Sequence, residues 1–400
     1  MARRPLRSRA VRLACAALVA GTASLVGEPA SAQTLTDMLS FLLTNRSIAT
    51  DDFVRDAAAA TATRDAISAY LLTELATLPV SSSSGGFTYR LEPTLGTTVR
   101  SSNSFGPFFT ERSLTSGARQ MSMGISYQHA LYDRIDGRSL SDGTLIATAS
   151  RLRSETQPFD TEALTLGVET STMTVQTNIG VTDRLDVGAA LPLIRLRLDG
   201  RRVDTYRGRE AIQAIASGTS SGPGDLAVRG KYNVMQREAS GVAVGVEARL
   251  PTGNEQNLLG SGHATLQPSV IVSLERSLTA VHATAGYRFG GDSGELNLGG
   301  AVTVAATPRI TAVGELAVRR LSSVGRLVET TAPHQTLANV LTERLSTTGD
   351  ASTHAMILAG VKWNIGSTWL LNASVMRSLT DAGLDGGWTP MIAFDRSFGR

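Results

Sequence analysis

The sequence of 400 residues has one cysteine, few aromatic residues (5%) and few charged residues (18%). Cys15 lies in an N-terminal stretch that we expect to be removed, so the remaining chain can form no disulfide, thiolate metal site or thiol nucleophile. Beyond this stretch, no apolar run approaches the ~20 residues of a membrane-spanning helix. These absences exclude a small disulfide-stapled secreted domain and a polytopic helical membrane protein.

Signatures of catalysis and metal binding are also lacking. The five histidines are dispersed and show neither H-E-x-x-H nor a zinc-type Cys/His spacing. Residues 222–225 (Gly-Pro-Gly-Asp) precede a strand pattern rather than a helix, so they are predicted to form a turn and not a phosphate-binding loop. We expect a protein that is not an enzyme and that holds no cofactor and no metal.

The N-terminus carries the pattern of a secretory signal peptide. Five arginines precede an apolar run over residues 13–26, and Ala30-Ser31-Ala32 is a cleavage pattern, so residues 1–32 are expected to be removed after Ala32. The apolar run is too short to span a bilayer comfortably as an uncleaved anchor, which is the alternative. Residues 1–32 hold five basic residues and one acidic residue; without them 33 basic and 34 acidic residues remain, so the formal net charge falls from +3 to −1. No nucleic-acid partner is expected at that balance.

Residues 33–80 are predicted to form a helical N-terminal segment. Apolar residues over 35–43 recur at spacings of three and four, and Asp51-Asp52 is expected to cap a second helix that runs to Leu78. The Ser/Gly-rich start of residues 81–118 predicts a linker that leads into the next domain. The helices are expected either to plug that domain or to lie in the periplasm.

From Phe87 onward, apolar and polar residues alternate with period two over long strands. In one example, Val242, Val244, Val246, Ala248 and Leu250 alternate with Ala243, Gly245, Glu247 and Arg249. Many candidate strands have 9 residues or more, the length of a tilted transmembrane strand (~9–11) rather than of an ordinary one (about 5–6). Because lipid offers no hydrogen-bond partner, a spanning sheet must close on itself. The fold class is therefore predicted as all-β, a transmembrane antiparallel up-and-down β-barrel over residues 119–400. A soluble β-sandwich or solenoid is the alternative.

About fourteen strands are predicted, with twelve as the alternative. The fourteen include candidates at 140–153, 161–180 and 325–345, and residues 199–223 are predicted to be an extracellular loop. Trp363, Trp369 and Trp388 lie near predicted strand ends, where barrels carry aromatic girdles. In the last strand, Ile392, Phe394 and Phe398 share one face. That face is expected to meet outer-membrane lipid and the barrel-insertion machinery.

Nine charged residues fall on the polar face of predicted strands. On the lipid face an arginine or lysine would cost ~2–4 kcal/mol near the midplane, so these residues are predicted to line the lumen. They are Arg229, Lys231, Glu247, Arg249, Glu275, Arg288, Glu315, Arg319 and Lys362. They either tune the passage of a small-molecule solute or pair across neighbouring strands, as Glu247 beside Arg229 and Lys231 suggests.

Several segments resemble a known bacterial outer-membrane family, the meta-pathway phenol-degradation proteins. They are residues 104–112 (SFGPFFTER), 114–117 (LTSG), 180–188 (GVTDRLDVG) with Leu191-Pro192, 224–232 (GDLAVRGKY), 249–253 (RLPTG) and 258–262 (LLGSG). The resemblance covers roughly Phe87 to Arg400. It implies a transporter barrel, and the family name implies uptake of aromatic compounds.

The sequence thus predicts an outer-membrane channel or transporter for passive passage of small molecules, with hydrophobic or aromatic compounds as candidate solutes. A structural or adhesive barrel that binds a partner through its loops is the alternative. A lipid hydrolase built from lumen serines and histidines is the weaker alternative.

Overall fold

The computed structural model describes residues 33–45, 54–76, 81–83, 85–92, 97–237, 240–291, 293–323 and 325–399. The expected signal peptide and the proposed cap at Asp51-Asp52 lie outside these residues. Within them, two α-helices precede the sheet, α1 (Leu35–Thr44) and α2 (Ala57–Ala76), and a short 3-10 helix lies at Glu255–Asn257. The strands are β1 Tyr89–Glu92, β2 Thr97–Arg100, β3 Met121–Tyr132, β4 Arg134–Ile135, β5 Arg138–Ser139, β6 Leu145–Leu152, β7 Asp160–Gly180, β8 Leu185–Tyr206, β9 Arg209–Pro223, β10 Leu226–Arg237, β11 Ser240–Leu250, β12 Thr265–Arg276, β13 Thr279–Arg288, β14 Glu295–Thr307, β15 Ile310–Leu321, β16 Leu327–Pro333, β17 Val340–Thr347, β18 Ser352–Gly366, β19 Trp369–Ser378, β20 Leu384–Asp385 and β21 Trp388–Phe398.

A closed ring of twelve strands forms the barrel. Each barrel strand pairs antiparallel with the next one along the chain, and β21 pairs with β3 to close the ring. The ring contains β3, β7, β8, β10, β11, β12, β13, β14, β15, β18, β19 and β21. The predicted antiparallel up-and-down barrel is confirmed, with the alternative count of twelve strands rather than fourteen.

Two of the predicted barrel strands lie outside the ring. The candidate at 140–153 is β6, which pairs with the outer part of β7, and the candidate at 325–345 contains the hairpin of β16 and β17. Both show period-two alternation because each packs one face on an apolar core that lies outside the ring. Alternation alone therefore counts them as barrel strands.

The two ends of the barrel differ in the length of their connections. At one end, the short-turn end, strands are joined by two to four residues, as between Arg276 and Thr279. At the opposite, long-loop end, the connections are longer and include the stretch between Leu321 and Ser352. Outer-membrane barrels have short periplasmic turns and longer extracellular loops. The strand ends Met121 and Phe398, which pair with each other, lie at the short-turn end.

The outward face of the barrel is apolar. On β12, Val270 and Leu274 are 51% and 64% exposed, whereas Ile271 and Ser273 point inward and are each 1% exposed. All three tryptophans are exposed beside strand ends: Trp363, Trp369 and Trp388. A closed ring with an apolar exterior satisfies the backbone within the sheet and leaves the side chains to contact hydrocarbon, so the fold is that of a transmembrane β-barrel.

No helix in the described part of the chain is both long and apolar enough to cross a membrane.

An apolar core lies outside the ring, at the long-loop end. There β7 and β8 continue beyond the ring, β9 pairs back on β8, and α1 and α2 pack against β6, β8, β9 and β17. We call this region the platform. Its core includes the fully buried side chains of Leu39, Leu42, Leu71, Leu164, Leu196 and Leu345. The prediction of a loop at 199–223 is wrong, because these residues form the end of β8 and all of β9. Since these strands lie beyond the hydrocarbon, they need no continuous apolar face, and their sequence does not alternate.

Polar contacts fix the helices on the platform. Thr34 and Asp37 form a capping box at the start of α1, and the carboxylate of Asp56 accepts hydrogen bonds from the N–H groups of Ala58 and Ala59 at the start of α2. Tyr70 of α2 accepts a hydrogen bond of 2.9 Å from the N–H of Gly383 through its hydroxyl, and burial raises the pKa of this phenol.

We expect Val270→Arg to destabilise the barrel by about 2–4 kcal/mol, because Val270 lies midway along β12 on the lipid face. Leu274→Arg, on the same face but near the short-turn end, is the matched control and should cost about 0–1 kcal/mol. Urea unfolding of the bilayer-inserted protein measures both. Equal losses would mean that the outer face does not meet hydrocarbon.

Gly200→Val should release α1 from the platform while the barrel stays closed. A Cβ at Gly200 would lie 2.1 Å from Cδ1 of Leu42, and since Leu42 is fully buried, its side chain can give way only by displacing α1 or its neighbours. Limited proteolysis should cut α1 faster in this variant, with heat-modifiable migration unchanged. Gly349→Val is the control, since a Cβ there meets nothing within 4 Å; equal protection of α1 in both variants would contradict the packing described.

Candidate functional site in the barrel lumen

The described residues of the stretch 81–118 (81–83, 85–92 and 97–118) lie inside the barrel or at its short-turn end, and we call them the lumen segment. The segment follows α2 at the long-loop end and runs to the short-turn end, where Arg100 approaches the carbonyl of Pro308 and Asn103 donates to the carbonyl of Ser277. It then turns back into the barrel before it leaves beside Gly180. Its partners are inward-facing side chains of β8, β10, β12, β14, β15 and β18. The helices therefore lie on the platform, and this segment fills the lumen.

The carboxylate of Glu315 on β15 holds the middle of the lumen segment. It accepts hydrogen bonds from the backbone N–H groups of three consecutive residues, Phe108, Phe109 and Thr110, the last at 2.9 Å. An ionised carboxylate is an acceptor only, so it can satisfy several backbone donors at once. This contact fixes the segment against one wall of the barrel.

Lys362 on β18 fixes the segment from an adjacent strand. Its buried ammonium group donates to the carbonyls of Gly85 and Pro107 at 3.0 and 2.8 Å. At the short-turn end, the carboxylate of Asp186 accepts from the N–H of Ser116. Gly180 makes two backbone hydrogen bonds with 119–120, and a Cβ there would clash with Gly117, so the close exit requires glycine. The segment is held by these polar contacts and by the packing of Phe108 against Val313, Leu358 and Met391.

A cavity of about 190 Å³ remains between the lumen segment and the wall formed by β10 to β15 and β18. We call it the lumen cavity. Five basic side chains line it: Arg229, Lys231, Arg249, Arg288 and Arg319. Three carboxylates line it as well: Glu111, Glu247 and Glu295. Its apolar lining includes Phe109, Ile271 and Met356.

Ion pairs connect these charges across strands. Glu247 lies 2.9 Å from both Arg229 and Arg249 and 3.8 Å from Arg288, and Arg288 also pairs with Glu295 at 3.1 Å. The Arg229–Glu247 pair joins directly opposed residues of β10 and β11, as the sequence predicts. Because removing one member of a buried pair leaves the other uncompensated, each of these residues constrains its neighbours.

The lumen segment and the platform supply two further carboxylates to this network. Glu111 lies 3.4 Å from Lys231 and 3.7 Å from Arg229. Glu74 of α2 pairs with Arg319 and lies 3.7 Å from His354. The charges that the strands place in the lumen are thus partly balanced by parts of the chain that are not in the sheet.

The nine lumen-lining candidates all point inward, and the structure separates them into two groups. The first group lines the lumen cavity and contains Arg229, Lys231, Glu247, Arg249, Arg288 and Arg319. The second group holds the lumen segment. It contains Glu275, which accepts from the N–H of Asn103 at 3.0 Å, together with Glu315 and Lys362.

Sequence reasoning missed Glu111, Glu295 and Asp186. Glu295 and Asp186 begin strands or follow a turn, where the period-two pattern has too few residues to assign a face. Glu111 lies in a segment without alternation, within the quoted motif SFGPFFTER. The signal that could have identified Glu111 is its place inside a motif that carries the family resemblance.

Among the residues that the structure describes, no three histidine, aspartate or glutamate side chains are grouped to hold a metal ion. Ser273 and His282 do come together, with 2.9 Å between Oγ and Nδ1, and both are buried. The N–H of Ser113 in the lumen segment donates to the same Oγ. The pair lies behind the lumen segment and not on the lining of the lumen cavity.

Solved structures similar to this chain are barrels. An outer-membrane channel from Pseudomonas putida F1 is 14% identical, with a TM-score of 0.46, and the match covers 72% of this chain and 98% of that one. The NanC porin is 7% identical (TM-score 0.37; 69% and 100% covered). The toluene transporter TbuX of Ralstonia pickettii is 11% identical (TM-score 0.28; 72% and 91% covered). At these identities the likenesses concern the fold alone.

A search of curated proteins finds no relative that matches this sequence. A protein-family model does match, over residues 148–386. That range contains the quoted segments from Gly180 onward, and those at 104–117 precede it. The matched range is more than half of the chain, and the protein belongs to the family described as "Putative MetA-pathway of phenol degradation".

Proposed function

We propose that this protein is a passive outer-membrane channel whose lumen segment restricts the passage of small molecules. The observation that carries the proposal is the lumen cavity of about 190 Å³, bounded on one side by a segment held through hydrogen bonds and ion pairs. Water can replace such polar contacts, whereas it cannot replace close apolar packing without a large cost. The segment therefore has to give up only the packing of its few buried apolar side chains, such as Phe108, to move aside without loss of the barrel.

Export and location are part of the same proposal. The signal peptide is cleaved after Ala32, and the barrel-insertion machinery then recognises the last strand. The outward residues Ile392, Phe394 and Phe398 on β21 are 45%, 47% and 38% exposed. The platform faces the outside of the cell, since it lies at the end with the longer connections. Passage needs no energy source.

Aromatic compounds are the proposed class of solute. The family description names phenol degradation, and Phe109 at the lumen cavity offers an aromatic surface on which a ring can stack.

Purified protein in planar bilayers should show discrete conductance steps, and proteoliposomes should take up small aromatic acids faster than empty liposomes. The physical reason is a water-accessible polar lumen within a closed wall. A barrel of confirmed heat-modifiable migration that shows neither conductance nor uptake would overturn the proposal.

We expect Glu315→Gln to open the channel more often than the native protein does. The amide keeps the size of the side chain but loses the charge, and its NH₂ group cannot accept from the N–H groups of Phe108 to Thr110. About 1–3 kcal/mol of contact to the lumen segment should be lost. Single-channel recording measures the open fraction.

Glu329→Gln on β16 is the matched control, because Glu329 is exposed and lies outside the barrel. Identical open fractions for Glu315→Gln, Glu329→Gln and the native protein would show that Glu315 does not hold a gate.

An adhesive barrel is the second candidate, and the platform favours it. The platform is a folded unit with its own apolar core, and the mouth of a channel does not need such a unit. This function predicts that deletion of the gene leaves the permeability of cells to aromatic acids unchanged and removes binding to a surface partner.

A lipid hydrolase has less support. Residues 218–222 spell G-x-S-x-G, but they lie within β9 and not at a strand-to-helix turn. Ser273 and His282 are within hydrogen-bonding distance, but they are buried behind the lumen segment. Hydrolase activity that Ser273→Ala abolishes would support this function.

A further inference from the structure

We infer that the lumen cavity is a binding site for a small organic carboxylate with an apolar body. This inference rests on the proposed function, since it names the chemical class of solute that the channel selects.

The charge balance of the cavity favours an anion. Five basic groups line it against three carboxylates, and Glu74 of α2 brings one more negative charge to Arg319. On the lining itself basic groups outnumber carboxylates, and Asp186, directly opposite Lys231, lies outside the lining, as Glu74 does. An incoming carboxylate therefore meets more hydrogen-bond donors than acceptors on the lining and gains charge-assisted hydrogen bonds there.

Arg288 is the group best placed to meet that carboxylate. It is 7% exposed and lines the cavity. Its Nη1 is 3.1 Å from Glu295, and its Nη2 lies 3.8 Å from Glu247, beyond hydrogen-bonding distance. A guanidinium group has five N–H donors in a planar fork that fits a carboxylate. The Nη2 donors of Arg288 are therefore the ones that a ligand in the cavity can meet.

The size and the apolar lining of the cavity fit the body of the ligand. An apolar cavity of about 150 Å³ accommodates benzene in another protein, and the lumen cavity is about 190 Å³. Phe109, Ile271 and Met356 supply apolar lining away from the guanidinium groups. The volume is enough for one ring and a carboxylate, with the carboxylate toward Arg288 and Arg249.

The test is a titration of the purified full-length protein in detergent with benzoate and with benzamide, its neutral isostere, at constant ionic strength. Benzoate should bind the native protein at least about tenfold more tightly than benzamide does, and Arg288→Gln should weaken benzoate about tenfold, since one charge-assisted hydrogen bond is lost. Arg288→Lys should restore part of the affinity. Arg320→Gln is the matched control, because Arg320 is exposed on the opposite face of β15.

Heat-modifiable migration reports whether each variant is folded, and Arg249→Gln is titrated in the same way if Arg288→Gln does not fold. Equal binding of benzoate and benzamide, or equal benzoate binding by the Arg288 and Arg320 variants, would overturn the site. Benzoate binding without any conductance would leave the site in place and overturn the channel. Conductance without carboxylate preference would leave the channel and overturn the site.

Discussion

The requirement that every backbone polar group in hydrocarbon be paired determines the rest of this structure. Twelve strands meet it by forming a closed ring, and the ring forces side chains to alternate between lipid and lumen. Apolar residues such as Val270 take the outside, so the charged residues of the same strands must take the inside. The interior of the barrel is then crowded with charge, and that charge needs partners.

The lumen segment supplies many of those partners. Glu315 and Lys362 would be buried charges facing an empty interior, but they bind backbone N–H and carbonyl groups of the segment instead. A backbone without regular structure has unsatisfied donors and acceptors along its whole length, and a lumen wall with both signs of charge satisfies them. Wall and segment therefore stabilise each other, and the cavity lies where the segment leaves the arginine–glutamate pairs of the wall uncovered.

The sequence predicts the barrel, the two helices and the inward direction of all nine charged candidates, because period-two and 3.6-residue patterns are local properties. It does not predict the number of strands: β6 and the hairpin of β16 and β17 alternate for the same reason as barrel strands but pack on the platform core. The sequence pattern also misses β9, because this strand does not contact lipid and therefore has no continuous apolar face. The path of residues 81–118 depends on contacts more than a hundred residues away, such as Phe108 with Glu315, and no local pattern records them.

The route of the chain has a consequence for assembly. Helix α2 lies at one mouth of the cylinder, and β3 begins at the other, so the polypeptide passes through the bore between them. A cylinder that was already sealed would have to admit two folded helices through an interior lined with arginines. Closure of the seam between β3 and β21 after the N-terminal portion is in place avoids that passage, and the wall then forms around its own contents.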